Sequence, residues 1–435
     1  MKNLAVAFCT AALLSVGAPA QEEDPLFGQV QESTFQYFWD GAEPNSGLAR
    51  ERIHCDNLYP SNDRDVVTTG GSGFGLMAIL VGIERGYITR DQALQRYETI
   101  ATFLETCDRF HGAWPHWLDG PTGKVKPFGT KDDGGDLVES SFLAQGLLCV
   151  RQYFKDGSAR QRKLAERMDR LWRDIDFDWY RNGKNVLYWH WSPNYAWQMN
   201  FPVHGYNECL IMYLLAASSP THPVGPEVYH QGWAQNGTLR HPHQALGIPL
   251  QLYYQGDADN GGPLFWAHYS YLGLDPHGLK DQYADYEQET RNQARVNYQW
   301  CLDNPKHYKG YGPGSWGLTS SYSPKGYGGH APDLKNDVGV ISPTAALSSF
   351  PYLPREASAA MHHWQERFGS MLYGPYGPYD AFSETDNWMP PHYLAIDQGP
   401  IVVMMENHRT GLLWKLFMSC PEVQVGLKKL GFQHS

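Results

Sequence analysis

The connectors between helical segments are what most constrain this chain. Apolar residues recur at helical spacing over about 24–40, 68–85, 90–107, 136–155 and 159–174. The pattern returns over about 205–217, 225–234, 263–272, 281–303, 342–350, 355–368, 397–417 and 421–430, and strand hairpins are scarce. Between these runs two kinds of connector alternate. One kind is short and polar, as in 86–89, 155–158, 218–225 and 351–354. The other is long and rich in Gly, Pro and aromatics, over about 41–67, 108–135, 175–204, 235–262, 304–341 and 369–396. Antiparallel helix pairs place successive connectors at opposite ends of the stack, so all the long ones fall on one face. Six long loops, each feeding a helix, predict an all-α (α/α)6 toroid with its functional face on the long-loop side. An open α-solenoid would need a repeat of 34 to 45 residues, and none is visible.

Composition narrows the function. The 435 residues are 42% hydrophobic and 19% charged, ample for a large core. The net charge of −11, with no basic tract, argues against nucleic acid and anionic membranes and favours a neutral ligand. Many of the 15 Trp and 27 Tyr lie in the Gly/Pro-rich long loops, where aromatic faces suit the C–H face of a pyranose. Residues 1–20 read as a signal peptide: Lys2, an apolar stretch from Leu4 to Val16, then Ala18-Pro19-Ala20. A periplasmic or secreted single domain over 21–435 is expected, as a monomer and without membrane insertion. Cys149 and Cys209 sit in apolar helical runs, as buried free thiols do. No metal or cofactor is expected, since neither His241/His243 nor His362/His363 lies in a metal-ligand pattern.

The segment "KDDGGDLVESSFLAQGLL" at 131–148 crowds four acids against the start of an apolar helix. Asp136 and Glu139 have capping-box spacing, which leaves Asp132 and Asp133 unexplained. Asp63, Asp65, Glu208, Asp337 and Asp397 also lie where long loops enter helices. Glycoside hydrolysis needs two carboxyl groups in different protonation states. Glu208, between Trp197, Phe201, Tyr206 and the run 209–215, is the candidate acid, because apolar surroundings disfavour its charged form. Asp132, Asp133 and Asp136, near a helix N-terminus, are expected to be ionised, as a base or a water-binding group must be. "GGSGFG" at 70–75 is neither a P-loop nor a dinucleotide fingerprint; its glycines suit close helix approach or backbone exposed to a ligand. Aromatic candidates for sugar binding are Trp114, His116, Trp117, Trp189, Trp191, Tyr195, Trp197, Tyr311, Trp316, Tyr327, Tyr376, Tyr379 and Trp388.

Five blocks carry a family resemblance: "GGSGFGLMAILVGIERGYITRDQA", "HGYNECLIMYLLAASSPTHPV", "GGPLFWAHYSYLGLDP", "SPTAALSSFPYLP" and "IDQGPIVVMMENHRTGLLWKLF". Together they resemble the glucoamylase-like bacterial proteins that include glycoside hydrolase family 144, from about residue 24 to the C-terminus. The resemblance implies an (α/α)6 toroid and inverting, metal-independent hydrolysis of β-1,2-glucan, mostly endo-acting, with a related exo-type that releases sophorose. It implies Glu208 as the acid and Asp132, Asp136 and Glu139 as the acidic cluster; Asp132, Asp136 and Asp397 remain candidates for the base. A non-catalytic glycan-binding protein is disfavoured by the retained acids. A polysaccharide lyase is disfavoured by loops that are acidic and aromatic instead of basic.

Overall fold

The computed structural model describes residues 24–254 and 259–435; the expected signal peptide lies outside the described residues. Twelve α-helices are described: α1 Pro25–Trp39, α2 Thr69–Arg85, α3 Arg90–Thr106, α4 Leu137–Phe154, α5 Ala159–Arg173, α6 Leu210–Ser218, α7 Tyr286–Asp303, α8 Pro343–Leu347, α9 Pro354–Phe368, α10 Ala395–Thr410, α11 Leu412–Met418 and α12 Pro421–Lys429. The chain is thus helix-rich, with short two- and three-stranded sheets in the connectors. No helix among the described residues is long and apolar enough to cross a membrane.

Two classes of helix follow from the sequence pattern. α2, α4, α6 and α10 are apolar around most of their circumference and are buried nearly throughout. α3, α5 and α9 bury one stripe and leave the opposite face in solvent. α2 packs on α4 and α10, and α4 packs on α5 and α6. The glycines of 70–75 explain how tightly α2 and α4 meet. A Cβ on Gly73 would lie 2.3 Å from the Phe142 carbonyl oxygen, and one on Gly146 would lie 2.3 Å from the Gly73 carbonyl oxygen.

Several expected helices are shortened for local reasons. Gly411, at φ +67°, ends α10 and separates it from α11 within the expected 397–417 run. The Asn207 side chain accepts the Cys209 N–H at 2.9 Å, so α6 starts at Leu210 and Glu208 sits in the turn before it. The 225–234 run contains a π-helix at Val228–Trp233, and 263–272 is two 3₁₀ turns, Leu264–Ala267 and Tyr269–Leu272. One hairpin was not anticipated. Arg240–Ala245 pairs with Ile248–Leu252 across Leu246-Gly247, both at positive φ. The six cysteines among the described residues are free, and Cys149 and Cys209 are buried.

Small sheets fasten the long connectors at the start of the buried helices. Val66–Thr68 pairs with Trp117–Asp119, which pairs with Val125–Lys126. Gly135–Asp136 pairs with His190–Trp191, and Arg52–His54 with His392–Leu394. Loops distant in sequence are thereby bound to one another just where α2, α4 and α10 begin.

Candidate active site

Those connectors surround a cavity of about 430 Å³. The loop before α2 supplies Glu51, Arg52 and Thr68, and the loop before α4 supplies His116, Trp117, Phe128 and Asp132. The loop before α6 supplies Trp189, Met199, Phe201 and Glu208. Phe265 and Tyr269 come from the 3₁₀ turns, Tyr322 and Tyr327 from 304–341, and Leu394 from the last long loop. The first turns of α4 and α10 add Glu139 and Ile396, and the second turn of α4 adds Phe142. Phe128 (52% exposed) and Tyr327 (57% exposed) make an open aromatic rim, whereas Asp132, Glu139 and Glu208 are each below 10% exposed. The acids therefore lie deep, under a hydrophobic opening.

The start of α4 is the most elaborately built wall. The Asp136 Oδ1 accepts the Glu139 N–H at 2.9 Å, as an N-cap should. Its Oδ2 accepts from His116 Nδ1 at 2.9 Å and from Trp189 Nε1 at 3.0 Å. The Asp136 N–H donates to the Trp114 carbonyl and the Leu137 N–H to the Trp189 carbonyl, each at 2.9 Å. Glu139 does not complete the capping box: its Oε2 turns to α2 and accepts the Gly70 N–H at 2.6 Å. A Cβ on Gly70 would stand 2.3 Å from that oxygen, so glycine is what admits the carboxylate. Asp133 clamps the 192–194 turn through the Ser192 hydroxyl and the Asn194 amide at 2.7 Å.

Electrostatics corrects one expectation. Asp132 is not held ionised by the helix N-terminus. Burial and the neighbouring Asp136 carboxylate push it well above the usual carboxylate range. Glu139 is raised too, by burial first, with the His116 charge opposing. Burial alone would depress His116, but Glu139, Asp136 and Asp132 outweigh it and raise the imidazole to about 10. It is a fixed cation among these acids at neutral pH. Across the cavity Glu208 agrees with expectation: burial raises it to about 7, with Asp136 adding a smaller push. Its backbone carbonyl accepts the Ser270 hydroxyl at 2.5 Å, which anchors the turn.

Other expected residues lie elsewhere. Asp136 and Asp397 do not line the cavity. Asp397 is 1% exposed, is raised by burial and by the neighbouring Asp380 carboxylate, and accepts from the Tyr269 hydroxyl at 3.3 Å. Both are placed to orient cavity residues, Asp136 through His116 and Trp189 and Asp397 through Tyr269. Asp63 faces Arg52 and Lys126, Asp65 pairs with Arg50, and Asp337 accepts from Trp300 Nε1 and the Tyr311 hydroxyl. Of the aromatic candidates, His116, Trp117, Trp189 and Tyr327 line the cavity. Trp114 and Trp316 are fully buried, their indole N–H groups donating to the Leu104 and Glu356 carbonyls. Trp191, Tyr195, Trp197, Tyr311, Tyr376, Tyr379 and Trp388 are not part of the lining. Phe128, Phe142, Phe201, Phe265, Tyr269 and Tyr322 were missed. Phe201 and Tyr322 stand in long loops as aromatic as those selected, whereas Phe142 and Tyr269 lie in helical runs that read as core.

Two groups among the described residues have metal-ligand proximity: His116, Asp132 and Asp136, and His54, Asp56 and His392. One ring nitrogen each of His116 and His392 bonds a carboxylate of its own group, and both of His54 bond residues outside it. His116 Nδ1 bonds Asp136, His392 Nε2 bonds Asp56 at 2.9 Å, and His54 bonds the Leu58 carbonyl and the Tyr322 hydroxyl.

A family model described as "Putative glucoamylase" matches residues 200–421. An exo β-1,2-glucooligosaccharide sophorohydrolase (non-reducing end) from Parabacteroides distasonis is 45% identical over 424 residues, which is 94% of this chain; the chain spans 58% of that curated relative's length. The solved structure of an endo-β-1,2-glucanase from Chitinophaga pinensis, in complex with sophorotriose and glucose, is 67% identical with a TM-score of 0.94. That match covers 95% of this chain and 99% of that one. An endo-β-1,2-glucanase mutant from Talaromyces funiculosus, 11% identical, shares the fold alone at a TM-score of 0.69, covering 93% of this chain and 88% of that one.

Proposed function

From the membership of this chain in the glucoamylase-like family, of glycoside hydrolase family 144 type, we propose that it hydrolyses β-1,2-glucan as an endo-acting, inverting enzyme. The observation that carries the proposal is the pairing of Glu208, buried and proton-retaining, with the His116-centred acids of α4 around one cavity with an aromatic rim. Glu208 delivers a proton to the departing glycosidic oxygen. Asp132, the α4 acid that lines the cavity without capping the helix, takes the proton of the attacking water. His116, held by Asp136, stabilises the carboxylate that Asp132 must become before it acts. Glu139 positions the α2 backbone through Gly70. Water attacks from the face opposite the leaving group, which inverts the product anomer and requires acid and base carboxyls roughly 6.5–9.5 Å apart.

The architecture that presents these groups is an (α/α)6 toroid in this reading. Its support is that connectors preceding α2, α4, α6 and α10, together with the 3₁₀ turns and the 304–341 loop, all reach one cavity. Endo action is favoured by the higher identity to the Chitinophaga pinensis endo-β-1,2-glucanase, 67% against 45% for the sophorohydrolase. Incubation with linear β-1,2-glucan, starch, cellulose and laminarin tests the substrate. Release from β-1,2-glucan alone is expected. A ladder of sophorooligosaccharides supports the endo mode, and sophorose as the sole early product supports the exo mode. Strong release from starch would overturn the linkage assignment.

A further inference from the structure

The 175–204 loop builds a second feature on its outer side. Asp178, Trp179, Arg181, Asn182, Gly183 and Trp197 line a shallow pocket of about 310 Å³, and none of them lines the catalytic cavity. That volume sits at the lower end of the ~300–1,000 Å³ typical of small-ligand sites. Trp179 is 38% exposed and is held rigidly. His111 stacks on it with ring centroids 3.6 Å apart and planes within 12°, while Trp191 meets it edge-on at 5.9 Å. Trp197 joins it at 6.3 Å with the planes inclined by 33°, and is itself braced by the edges of Tyr180 and Tyr188. The two indoles form an angled platform whose ring orientations are set before any ligand arrives.

The polar side is equally ordered. Arg181 donates from Nη1 to Asp178 at 2.9 Å, from Nη2 to Asn185 Oδ1 at 3.0 Å and from Nε to the Lys184 carbonyl at 2.8 Å. The guanidinium is therefore spread flat, with its charge balanced by Asp178. Asn182 and Gly183 turn the chain at φ +49° and +68°, and a Cβ on Gly183 would meet nothing within 4 Å. A rigid indole platform beside a carboxylate, a guanidinium and an amide, with no net charge, fits the C–H face and vicinal hydroxyls of a neutral hexopyranose. An anionic polymer would gain nothing from the neutralised Arg181.

We propose that the Trp179–Trp197 pocket is a second, non-catalytic glucan-binding site that holds a remote stretch of the polymer while another stretch occupies the cavity. The ligand class, β-1,2-linked glucan with free 3- and 4-hydroxyls, rests on the function proposed above. Two sites on one chain make the second contact intramolecular, so the benefit appears only with substrates long enough to reach both.

Native gel electrophoresis through linear β-1,2-glucan, using the Glu208→Gln chain so that the gel is not digested, measures the pocket separately from catalysis. Adding Trp179→Ala is expected to weaken retardation roughly fivefold, the affinity equivalent of the ~1 kcal/mol that an aromatic contact supplies. Because Trp179 also packs on His111, Asn182→Gly is the second variant: glycine keeps the left-handed turn and removes only the amide. It is expected to weaken retardation by roughly twofold. In the active enzyme, Trp179→Ala should raise KM for the polymer while leaving kcat/KM for sophorotetraose unchanged. Unaltered retardation in both variants, or equal losses on polymer and tetraose, would overturn the second site. A wild-type enzyme that fails to cleave even sophorotetraose would instead overturn the assigned activity, and the gel would still score the pocket.

Discussion

The starts of α4 and α6 each deliver a buried acid to the same cavity, and they hold it by opposite means. At α6, Glu208 sits in a turn whose surroundings are apolar, and burial is the main cause of its shift. At α4, Asp132 and Glu139 share a buried volume with Asp136 and the His116 cation, linked by hydrogen bonds to Trp189 and Gly70. Isolation makes a carboxyl keep its proton. A charge network lets a neighbouring carboxyl give one up when a cation stands beside it. Burial raises Asp132 and Glu208 alike, to about 7; what separates them is the His116 cation, which opposes the shift at Asp132, and on that contrast rests the proposed placing of the acid at α6 and of the water-activating group at α4.

The sharpest break is Glu208→Gln. Gln preserves shape but has no proton to give, so kcat should fall by roughly 10²–10⁴, the usual contribution of general acid catalysis. Calorimetric binding of sophorooligosaccharides should survive. Near-normal turnover would remove α6 from the chemistry.

Asp136→Asn probes the other wall indirectly. The amide cannot accept from all three donors that Asp136 now receives, and it no longer balances His116. A fall in kcat of roughly 10–100-fold is expected, with about 1–3 kcal/mol lost in denaturant unfolding for the donor left unpaired. If stability drops and kcat does not, Asp136 serves the helix alone.

Next is pH. Glu208 must be protonated to act, so kcat/KM should decline above about pH 7, by roughly tenfold per unit. Asp132 must be ionised, and its raised pKa places the acidic limb above the range of an ordinary carboxylate. The residual activity of Glu208→Gln should lack the alkaline limb. An unchanged limb in that variant would assign it to another group.

A last contrast separates the two walls by stability. Glu208, raised in the folded chain to about 7, contributes stability that is full below its unfolded value and is lost as pH rises through its folded one. Glu208→Gln carries no such loss. Relative to the parent it should gain as pH rises from about 4.5 to 8, by up to about 3 kcal/mol. The His116 contribution follows the same sign but begins to fall only above the unfolded value near 6.5 and is gone towards pH 10, so a His116 variant should show a stability deficit at pH 5 that is only partly reduced at pH 8. Unfolding of both variants at pH 5 and 8 makes the comparison.

Much of this was determined by sequence alone, where the cause is local. Helix periodicity located the helical runs because a helix reports its surroundings every turn. The alternation of connector lengths predicted that long loops would gather, and five of the six line one cavity, with no residue of 235–262 in the lining. The shift of Glu208 was legible because its apolar neighbours, Cys209 to Leu215, follow it directly. What only the tertiary structure decided depends on groups far apart in the chain. Asp132 looked ionised beside a helix N-terminus, but burial and Asp136 reverse that preference. Trp114 looked like a sugar platform, yet it is buried with its indole N–H on Leu104, while Phe142, read as core, faces the cavity. Composition says that a loop is aromatic. Which ring meets solvent, and which acid meets a cation, is fixed by the cross-loop pairings that carry His116 to Asp136 and Trp189 to α4, and such pairings leave no mark on the spacing of residues within either loop.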